Sequence, residues 1–405
     1  MKHSFFNLKT LPLKQFKNIF FSIGLLLLST SLLISGIGLM NTLISLKLKT
    51  AGKSSLFIGS ISAIYFLGML LGSFKISKLL NLIGYVRSFI TLSSVIAVTV
   101  ITPAINDNTT VFSICRFTQG MCIAGLYIII ESWILSYSSE SNRGRNLSIY
   151  MIILYGSYSV SQFFLSEDTV NTILPFCISA LLVILSIIPL SGFPVTVPII
   201  VNHNSISLKR IFYESKVGLL GCVISGILIS TIFSILPLYI AEIAENTELV
   251  ARALSLTFLA GVLVQYPLGI MVDRFSKQKI QIVFNLVYAV FLTSFTILEY
   301  YSLVTYPTLL IIVIVIGAFS FTIYPISINL VCDSLKKSEI IRVIEGITIA
   351  FGIGSIIGPI YTSSFIKVFG FYGYSGSYLL LSIILVFFTT YTLTNRKKGS
   401  QNSKF

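Results

Sequence analysis

The chain has 405 residues, of which 55% are hydrophobic and only 10% are charged, and its formal net charge is +14 at pH 7. Because a soluble globular domain carries roughly 25% charged residues, this composition excludes a soluble enzyme, and the low charged fraction also excludes a disordered chain. The positive charges lie in short clusters between long apolar runs, which is a membrane topology pattern and not a nucleic-acid footprint. We therefore expect a lipid bilayer around most of the chain and no nucleic-acid partner.

The apolar runs predict twelve transmembrane helices. A helix needs roughly 20 apolar residues to cross the hydrocarbon core, and open strands would leave backbone groups unsatisfied in lipid. The predicted spans of the first half are residues 18–46, 55–82, 86–106, 111–137, 147–165 and 172–193. Those of the second half are residues 217–241, 249–272, 280–300, 304–332, 343–366 and 374–394.

The longest polar interruption between spans, residues 194–216, follows the sixth span and divides the chain into two halves of six spans. It predicts a central cytoplasmic loop that joins an N-terminal six-helix bundle, residues 1–193, to a C-terminal six-helix bundle, residues 217–405. No polar segment is long enough to form a separate soluble domain.

The two halves also share a weak internal repeat. At offsets of 196 or 197 residues three pairs of identical residues align: Gly72 with Gly269, Tyr127 with Tyr324, and Gly156 with Gly352. Internal duplication, with the ligand site at the interface between the repeats, is typical of secondary transporters. We therefore expect an all-α integral membrane fold of two pseudo-symmetric bundles.

The distribution of Lys and Arg predicts the orientation, because these residues concentrate in cytoplasmic loops. With both termini in the cytoplasm, twenty-two of the 28 Lys and Arg residues lie on the cytoplasmic side. The cluster Lys47, Lys49 and Lys53 runs against this assignment. The majority predicts a multi-pass protein of the inner membrane with both termini in the cytoplasm.

Cysteine and histidine indicate no metal site, no cofactor and no catalytic triad. The five cysteines lie in apolar segments without a C-x-x-C spacing, so we expect them to be small buried hydrophobic residues. The two histidines, His3 and His203, lie in polar segments outside the spans. A membrane enzyme that acts on lipid needs a base, a nucleophile or metal ligands clustered at one interface. The short loops carry mostly Lys, Arg and Ser, so we do not expect an enzyme.

The fourth span carries the most polar face of any predicted helix. At about 100° per residue, Arg116, Gly120, Tyr127 and Glu131 fall within an arc of roughly 60°, with Gln119 beside them. Because an intramembrane ionisable residue is costly unless it faces a polar interior, this face is predicted to line a cavity or a partner helix. A carboxylate beside apolar neighbours takes up a proton more readily than one in water, so Glu131 is the candidate proton carrier and Arg116 the candidate that tunes it. The alternative is that both residues only anchor the helix at the two interfaces.

Other polar residues inside the spans are candidates to line a substrate cavity. They are Asn41, Gln119, Tyr127, Tyr158, Gln162, Gln265, Tyr324 and Asn329. The alternative for each is a hydrogen bond between helices, since polar side chains also join helices in membranes. In the eleventh span, three glycines and a proline predict close helix packing and a kink: Gly352, Gly354, Gly358 and Pro359.

Two motifs resemble those of a known family, the major facilitator superfamily. In the fourth span, Arg116-x-x-Gln119-Gly120 followed by Ala124 resembles motif B of that superfamily. After the eighth span, the segment Gly269-x-x-x-Asp273-Arg274-x-x-Lys277-x-Lys279 is similar to its motif A. The matching loop after the second span keeps Gly72, Gly84 and Arg87 but has Ile76 in place of the acidic residue.

A third group of residues resembles the YcaD-like branch of the same superfamily. It comprises Glu131-Ser132-Trp133, Asn142-Arg143-Gly144-Arg145 and Tyr150-Met151. The resemblance covers essentially the whole chain and implies two bundles that alternate access to a central site.

The resemblance also implies a conformational latch formed by the motif A loop on the cytoplasmic side. In such a latch Asp273 accepts backbone donors at a neighbouring helix N-terminus, and Arg274 pairs with a carboxylate in the outward-open state. Because Ile76 replaces the acid of the first half, the second half is expected to carry more of this role. The alternative is that residues 273–279 form a solvated positive loop.

These observations predict a secondary active transporter that moves a small solute with proton coupling. Export is favoured slightly, because motif B resembles that of drug/proton antiporters. The alternatives are a metabolite importer or facilitator of the same fold, and a membrane sensor that binds a solute without moving it. The expected partners are the solute, protons and lipid, with no obligate protein partner. An ATP-driven pump is disfavoured, because Gly52-Lys53-Ser54 lacks the first glycine and the preceding strand of a phosphate-binding loop.

Overall fold

The computed structural model describes residues 13–53, 55–74, 76–106, 108–139, 141–165, 172–198, 208–244, 246–335 and 339–402. Within these ranges all regular secondary structure is helical. The predictions for His3, His203 and the two chain ends lie outside the described residues.

Twelve long helices run through the described part of the chain. Those of the first half are α1 Leu13–Thr50, α2 Ser55–Ser73, α3 Ile76–Ile105, α4 Thr109–Ser136, α5 Arg143–Ser161 and α6 Leu174–Leu185. Those of the second half are α7 Lys216–Ser234, α8 Thr247–Arg274, α9 Lys277–Tyr300, α10 Tyr306–Asp333, α11 Ile340–Phe369 and α12 Gly373–Asn402.

The length and composition of these helices fit membrane spans. Ten described stretches are long and apolar enough to cross a membrane, and one of them, Ile340–Thr394, contains α11 and most of α12. The remaining helix, α2, includes the shorter apolar stretch Phe57–Ser73. Phe20, Leu82 and Phe387 are each at least 72% exposed on the outside, which suits lipid and not water. The predicted twelve-helix fold is confirmed.

The boundary between the second and third spans differs from the prediction. The sequence predicts spans at residues 55–82 and 86–106, but α2 ends at Ser73 and α3 already begins at Ile76. The misleading position is Gly84, which has a φ of 80° and forms a kink inside α3. A left-handed backbone of this kind favours glycine, so the sequence marks a kink where we predicted a loop.

Two other predicted segments are subdivided in the structure. The predicted loop at residues 194–216 contains a short helix, Leu208–Glu214, and α7 begins at Lys216. The short helices Ile188–Gly192 and Leu236–Ile240 follow α6 and α7, and each has a proline in its first turn. Proline is tolerated there because the first turn has no intrahelical acceptor for its missing N–H.

The helices of the two halves pack in matching pairs. Helix α1 packs against α5 as α7 packs against α11, and α2 packs against α4 as α8 packs against α10. A methyl group at Gly120 would overlap the carbonyl oxygen of Tyr65, and one at Gly317, 197 residues later, would overlap that of Thr257. The two glycines thus form equivalent close contacts between helices in the two halves, as expected from the internal repeat.

The helix ends form two faces. We call the face at which α2, α4, α8 and α10 end the basic face, because Arg143, Arg145, Arg274, Lys277 and Lys279 lie there, and we call the other the opposite face. Between the faces, α5 packs against α8 and α2 packs against α11, which joins the two halves.

Candidate functional site

Two adjoining cavities lie between the halves of the molecule. Each has a volume of about 50 Å³. They share a wall formed by residues of both halves: Met69, Tyr127, Tyr158, Ile229, Phe233 and Phe351. A cavity of this size holds a few water molecules. An organic solute therefore needs the halves to separate before it can bind here.

The first cavity, which we call the Glu131 cavity, contains a buried carboxylate. Glu131 on α4 is 2% exposed. The hydroxyl of Tyr324, on α10 of the other half, donates to its Oε2 at 3.1 Å and to its Oε1 at 3.3 Å. No ion pair joins Glu131 to a cation among the described residues. Tyr150 of the same half also lines this cavity, but both hydrogen bonds to the carboxylate come from Tyr324, a neutral donor of the other half.

The second cavity, which we call the Arg116 cavity, contains a buried cation. Arg116 on α4 is 5% exposed. Its Nη1 donates to Asn41 Oδ1 at 3.1 Å and to Gln119 Oε1 at 2.9 Å. The guanidinium carbon lies 4.4 Å from the centre of the Tyr65 ring. The side chain is therefore well inside the protein, as predicted for a residue that faces a cavity, and it contacts neutral groups.

Aromatic side chains connect the two cavities. The hydroxyls of Tyr127 and Tyr158 are 3.1 Å apart, and the Tyr158 ring packs 4.8 Å from that of Phe233 across the two halves. Tyr155 stacks on Phe321 of the other half with ring centres 4.1 Å apart. The path between the charged groups is thus lined by rings and a few hydroxyls.

Four of the predicted cavity residues line these two spaces. Asn41 lines the Arg116 cavity, Tyr324 lines the Glu131 cavity, and Tyr127 and Tyr158 line both. Tyr127 and Tyr324 are also one of the pairs that the internal repeat aligns, so equivalent helices contribute equivalent side chains to the site.

The other four predicted cavity residues use their amides to connect or brace helices. Gln119 donates to the Thr99 carbonyl at 3.0 Å, and Gln265 donates to the Phe321 carbonyl at 3.0 Å. Gln162 lies in the 3₁₀ turn Gln162–Phe164 and donates to the Tyr158 carbonyl at 3.1 Å, while Asn329 donates to the Pro325 carbonyl at 2.8 Å. Gln119 and Gln265 thus make the interhelical bonds that the sequence left open as the alternative. The bonds of Gln162 and Asn329, in contrast, are local, to the carbonyl four residues earlier.

Asp273, at the end of α8, contacts the first half at the basic face. Its Oδ1 accepts from the Gly144 backbone N–H at 2.8 Å and its Oδ2 from that of Arg145 at 3.1 Å, at the N-terminus of α5. The positive end of the helix dipole favours a carboxylate there. A methyl group at Gly144 would lie 2.8 Å from the Gly269 carbonyl oxygen, so both glycines permit the approach.

The other ion pairs of this region are centred on Asp333. Arg274 and Lys279 are exposed, and Arg274 pairs with no carboxylate among the described residues. Instead Asp333, at the end of α10, pairs with Lys277 at 2.5 Å and with Arg143 of the other half at 3.3 Å. Sequence reasoning missed Asp333, although a single acid at the end of a span on the basic face was a usable signal.

The corresponding residues of the first half make no such contact within the described chain. Ile76 is buried and lies against Gly125 of α4. An apolar side chain cannot accept hydrogen bonds from backbone N–H groups, so Ile76 cannot form a contact like that of Asp273. Gly72 packs against the Met121 backbone of α4, Gly84 forms the kink of α3, and Arg87 is exposed.

The glycines of α11 lie at close helix contacts. A methyl group at Gly354 would overlap the Val223 carbonyl oxygen of α7, and one at Gly358 would lie 2.5 Å from that of Ile227. Gly352 faces α2 across the halves, where a methyl group would lie 3.3 Å from the Cα of Leu70. Pro359 lies inside α11, directly after Gly358.

A second buried carboxylate, which sequence reasoning missed, lies within the second half. Glu299 on α9 is 3% exposed and accepts hydrogen bonds from the hydroxyls of Tyr239 and Ser375. The Tyr239 ring stacks on those of Phe371 and Tyr374, with centres 4.5 and 4.4 Å apart. A glutamate in the last turn of an apolar span was the available signal, but it resembles an ordinary polar helix end.

The fold and motifs agree with comparisons to known proteins. A family model described as Major Facilitator Superfamily matches residues 25–251 and 218–405. The chain is 26% identical over 380 residues to the uncharacterized MFS-type transporter YcaD of Escherichia coli, with 93% of this chain and 96% of that protein covered.

Solved structures with the same fold include two sugar symporters. The fucose:proton symporter FucP of E. coli has a TM-score of 0.68 at 14% identity, covering 92% of this chain and 99% of that chain. The proton:xylose symporter XylE has a TM-score of 0.71 at 14% identity, covering 92% and 95%. At these identities the likeness concerns the fold, while the family match spans the chain. The protein therefore belongs to the Major Facilitator Superfamily of transporters and resembles its YcaD-like members.

Proposed function

We propose that this protein is a secondary active transporter that moves a small solute by alternating access and couples the movement to protons through Glu131. The observation that carries the proposal is the hydrogen bond between Glu131 and Tyr324, which joins a buried carboxylate of one half to a donor of the other. When the halves separate, this bond breaks and water reaches the carboxylate. Proton binding and conformation are then linked, because each state of the carboxylate favours one arrangement of the halves.

Contacts near both faces support the alternating-access part of the proposal. At the basic face Asp273 bonds to the N-terminus of α5. At the opposite face Lys49 Nζ donates to the Ala241 carbonyl at 3.3 Å, and the hydroxyls of Ser159 and Ser255 are 2.9 Å apart. A solute reaches the cavities from one side of the membrane when the contacts at that face break while those at the other face remain formed.

The placement of Arg116 favours a task separate from that of Glu131. The two residues are fifteen positions apart on α4, which corresponds to about 22 Å along the helix axis at 1.5 Å per residue. A direct ion pair is impossible at that separation. We assign the proton to Glu131 and a binding role to Arg116.

The remaining features of the proposal concern orientation and direction. We place the basic face in the cytoplasm, following the positive-inside rule, with bundles at residues 1–193 and 217–405 joined by residues 194–216 in an inner membrane. Export remains the proposed direction because of the motif B resemblance. Proton symport is the second candidate, since FucP and XylE are named as proton symporters.

The test uses purified protein in liposomes loaded with a pH-sensitive dye. Solutes from a chemically diverse panel are added singly, and the lumen pH and the movement of labelled solute are recorded together. We expect at least one solute to move with protons in the wild type and to move without them in Glu131→Gln. Solute binding with no exchange across the membrane would favour the sensor alternative, and unchanged coupling in Glu131→Gln would remove Glu131 from the mechanism.

A further inference from the structure

Arg116 is a buried cation without a counter-ion among the described residues. Its neighbours are the amide oxygens of Asn41 and Gln119 and the ring of Tyr65, which are all neutral. A charge removed from water is strongly disfavoured unless a partner of opposite charge compensates it. The described part of the cavity supplies hydrogen bonds to this cation but no negative charge.

The unused edge of the guanidinium has the geometry of an anion site. Both hydrogen bonds of Arg116 come from Nη1, and its buried Nε has no partner. Nε and Nη2 form one edge of the guanidinium, and this edge makes no hydrogen bond to any described residue. Two parallel N–H groups of this kind match the two oxygens of a carboxylate.

The rest of the cavity wall indicates the body of the ligand. Beside Arg116 the cavity is lined by Ser45, Ser62 and Ser234, whose hydroxyls donate to carbonyls of their own helices. Apolar rings of both halves also line it, namely Phe66 of the first half and Phe233 and Phe351 of the second. Rings of this kind favour an apolar or aromatic body through buried area and ring packing. The charge and the rings together describe an amphipathic anion.

We infer that Arg116 binds the carboxylate of the transported solute through Nε and Nη2, and that the solute is a small organic anion with an apolar or aromatic body. The inference rests on the proposed function, since it names the solute class for the same cavity. The solute supplies the missing negative charge, and closure of Phe233 and Phe351 over its body joins the two halves.

The first test compares ligands that differ only in charge. A panel of aryl and alkyl carboxylates, including benzoate and phenylacetate, is matched with the amide and the amine of each member. Binding is measured by the melting temperature of the purified protein, with fluorescence of the single tryptophan, Trp133, as a second readout. We expect carboxylates to stabilise the protein more than their amides and amines do. A panel in which no carboxylate exceeds its amide overturns the inference.

The second test supplies an internal counter-ion. Asn41→Asp replaces the neutral amide beside the guanidinium by a carboxylate of the same shape. We expect this variant to keep its melting temperature and to bind the best carboxylate at least about tenfold more weakly, the range of coupling between linked charges. Undiminished binding in Asn41→Asp contradicts the inference, and this variant avoids the folding loss that Arg116→Gln risks. Arg87→Gln, at an exposed site, is the matched control.

Two further arms separate this inference from the proposed function. Phenylphosphonate in place of benzoate distinguishes a tetrahedral from a planar anion, and tighter binding of the phosphonate overturns the carboxylate assignment. Proton-coupled transport of a neutral or cationic solute would overturn the anion inference and leave the proposed function intact. Anion binding without any transport would overturn the proposed function and leave the anion site at Arg116 intact.

Discussion

Of the described glutamates, Glu131 and Glu299 are the most deeply buried, and they differ in which half of the molecule holds their partners. Glu131 accepts a hydrogen bond from Tyr324, which lies across the interface between the halves. Glu299 accepts from Tyr239 and Ser375, which lie in its own half. Both side chains are almost fully buried, and both are held by hydroxyl donors.

Under the proposed function, this difference separates a coupling group from a structural one. If the halves separate as proposed, the hydrogen bond across the interface must break, and the state of Glu131 then depends on the conformation. A hydrogen bond within one half moves with that half and is kept. We therefore interpret Glu299 as a group that attaches the segment Leu236–Ile240 to α9 and α12.

The largest expected effect on transport comes from removing the charge at Glu131, with Glu299 as the comparison. Glu131→Gln should lower gradient-driven transport by at least about tenfold, because a neutral amide cannot carry a proton between the two states. Glu299→Gln should leave transport per folded molecule within about twofold, since it acts within one half. Initial rates in proteoliposomes with and without a pH gradient measure both. Equal losses in the two variants would erase the distinction between the two sites.

The free energy of unfolding should depend more on Glu299 than on Glu131. Glu299→Ala leaves the buried hydroxyls of Tyr239 and Ser375 without their acceptor and opens a small cavity, which costs about 2–4 kcal/mol. The free energy of unfolding in detergent measures this loss, and transport per folded molecule should persist. Glu299→Gln, which keeps an acceptor, should lose less. A stable Glu299→Ala protein that fails to transport would contradict the structural role.

A third carboxylate, Asp273, tests the cross-half principle at the basic face. Asp273→Asn weakens two charge-assisted hydrogen bonds to the N-terminus of α5 and should shift the conformational equilibrium by about 1–2 kcal/mol away from closure of this face. Accessibility of a cysteine introduced at Ser148, which is buried against Gly269 of the other half, to a membrane-impermeant thiol reagent reports the shift. The matched control is Arg274→Gln, whose side chain is exposed and makes no ion pair among the described residues. Equal labelling of both variants would argue against the contact as a latch.

The smallest expected effect compares the two tyrosine donors. Tyr324→Phe removes a hydrogen bond across the halves and should change the conformational equilibrium by about 1 kcal/mol with little change in stability of either half. Tyr239→Phe removes a bond within one half and should lower the melting temperature without changing the equilibrium. Distances between spin labels on the two halves, recorded for both variants, separate these outcomes.

Much of the fold was predictable from the sequence, because lipid imposes long apolar helices and excludes open strands. Helical periodicity also identified the polar face of α4, since Arg116, Tyr127 and Glu131 repeat on one side of a single helix. The boundary between α2 and α3 was not predictable in the same way. Lys75 and Lys78 follow Ser73 and were a usable boundary signal, but our prediction places the turn at Gly84. The backbone conformation at Gly84 shows a kink inside α3 instead.

The partners of the polar groups were harder to predict than the groups themselves. Tyr324 was a candidate for the cavity, but its bond to Glu131 depends on how α4 and α10 meet across the two halves. Gln265 bonds to a carbonyl of α10, and Asp333 pairs with bases from α5 and α9. Local sequence indicates which side chains are polar, whereas their contacts depend on segments that are distant in the chain.

The central claim is that two halves move about the Glu131 and Arg116 cavities, and inter-label distances test it most directly. One label pair, at Ser141 and Gln278, spans the halves at the basic face, and another, at Ala51 and Glu242, spans them at the opposite face. In lipid nanodiscs, acidification should change the two distances in opposite directions, and Glu131→Gln should abolish the response. Distances that stay constant, or that lengthen together at both faces, would contradict the account.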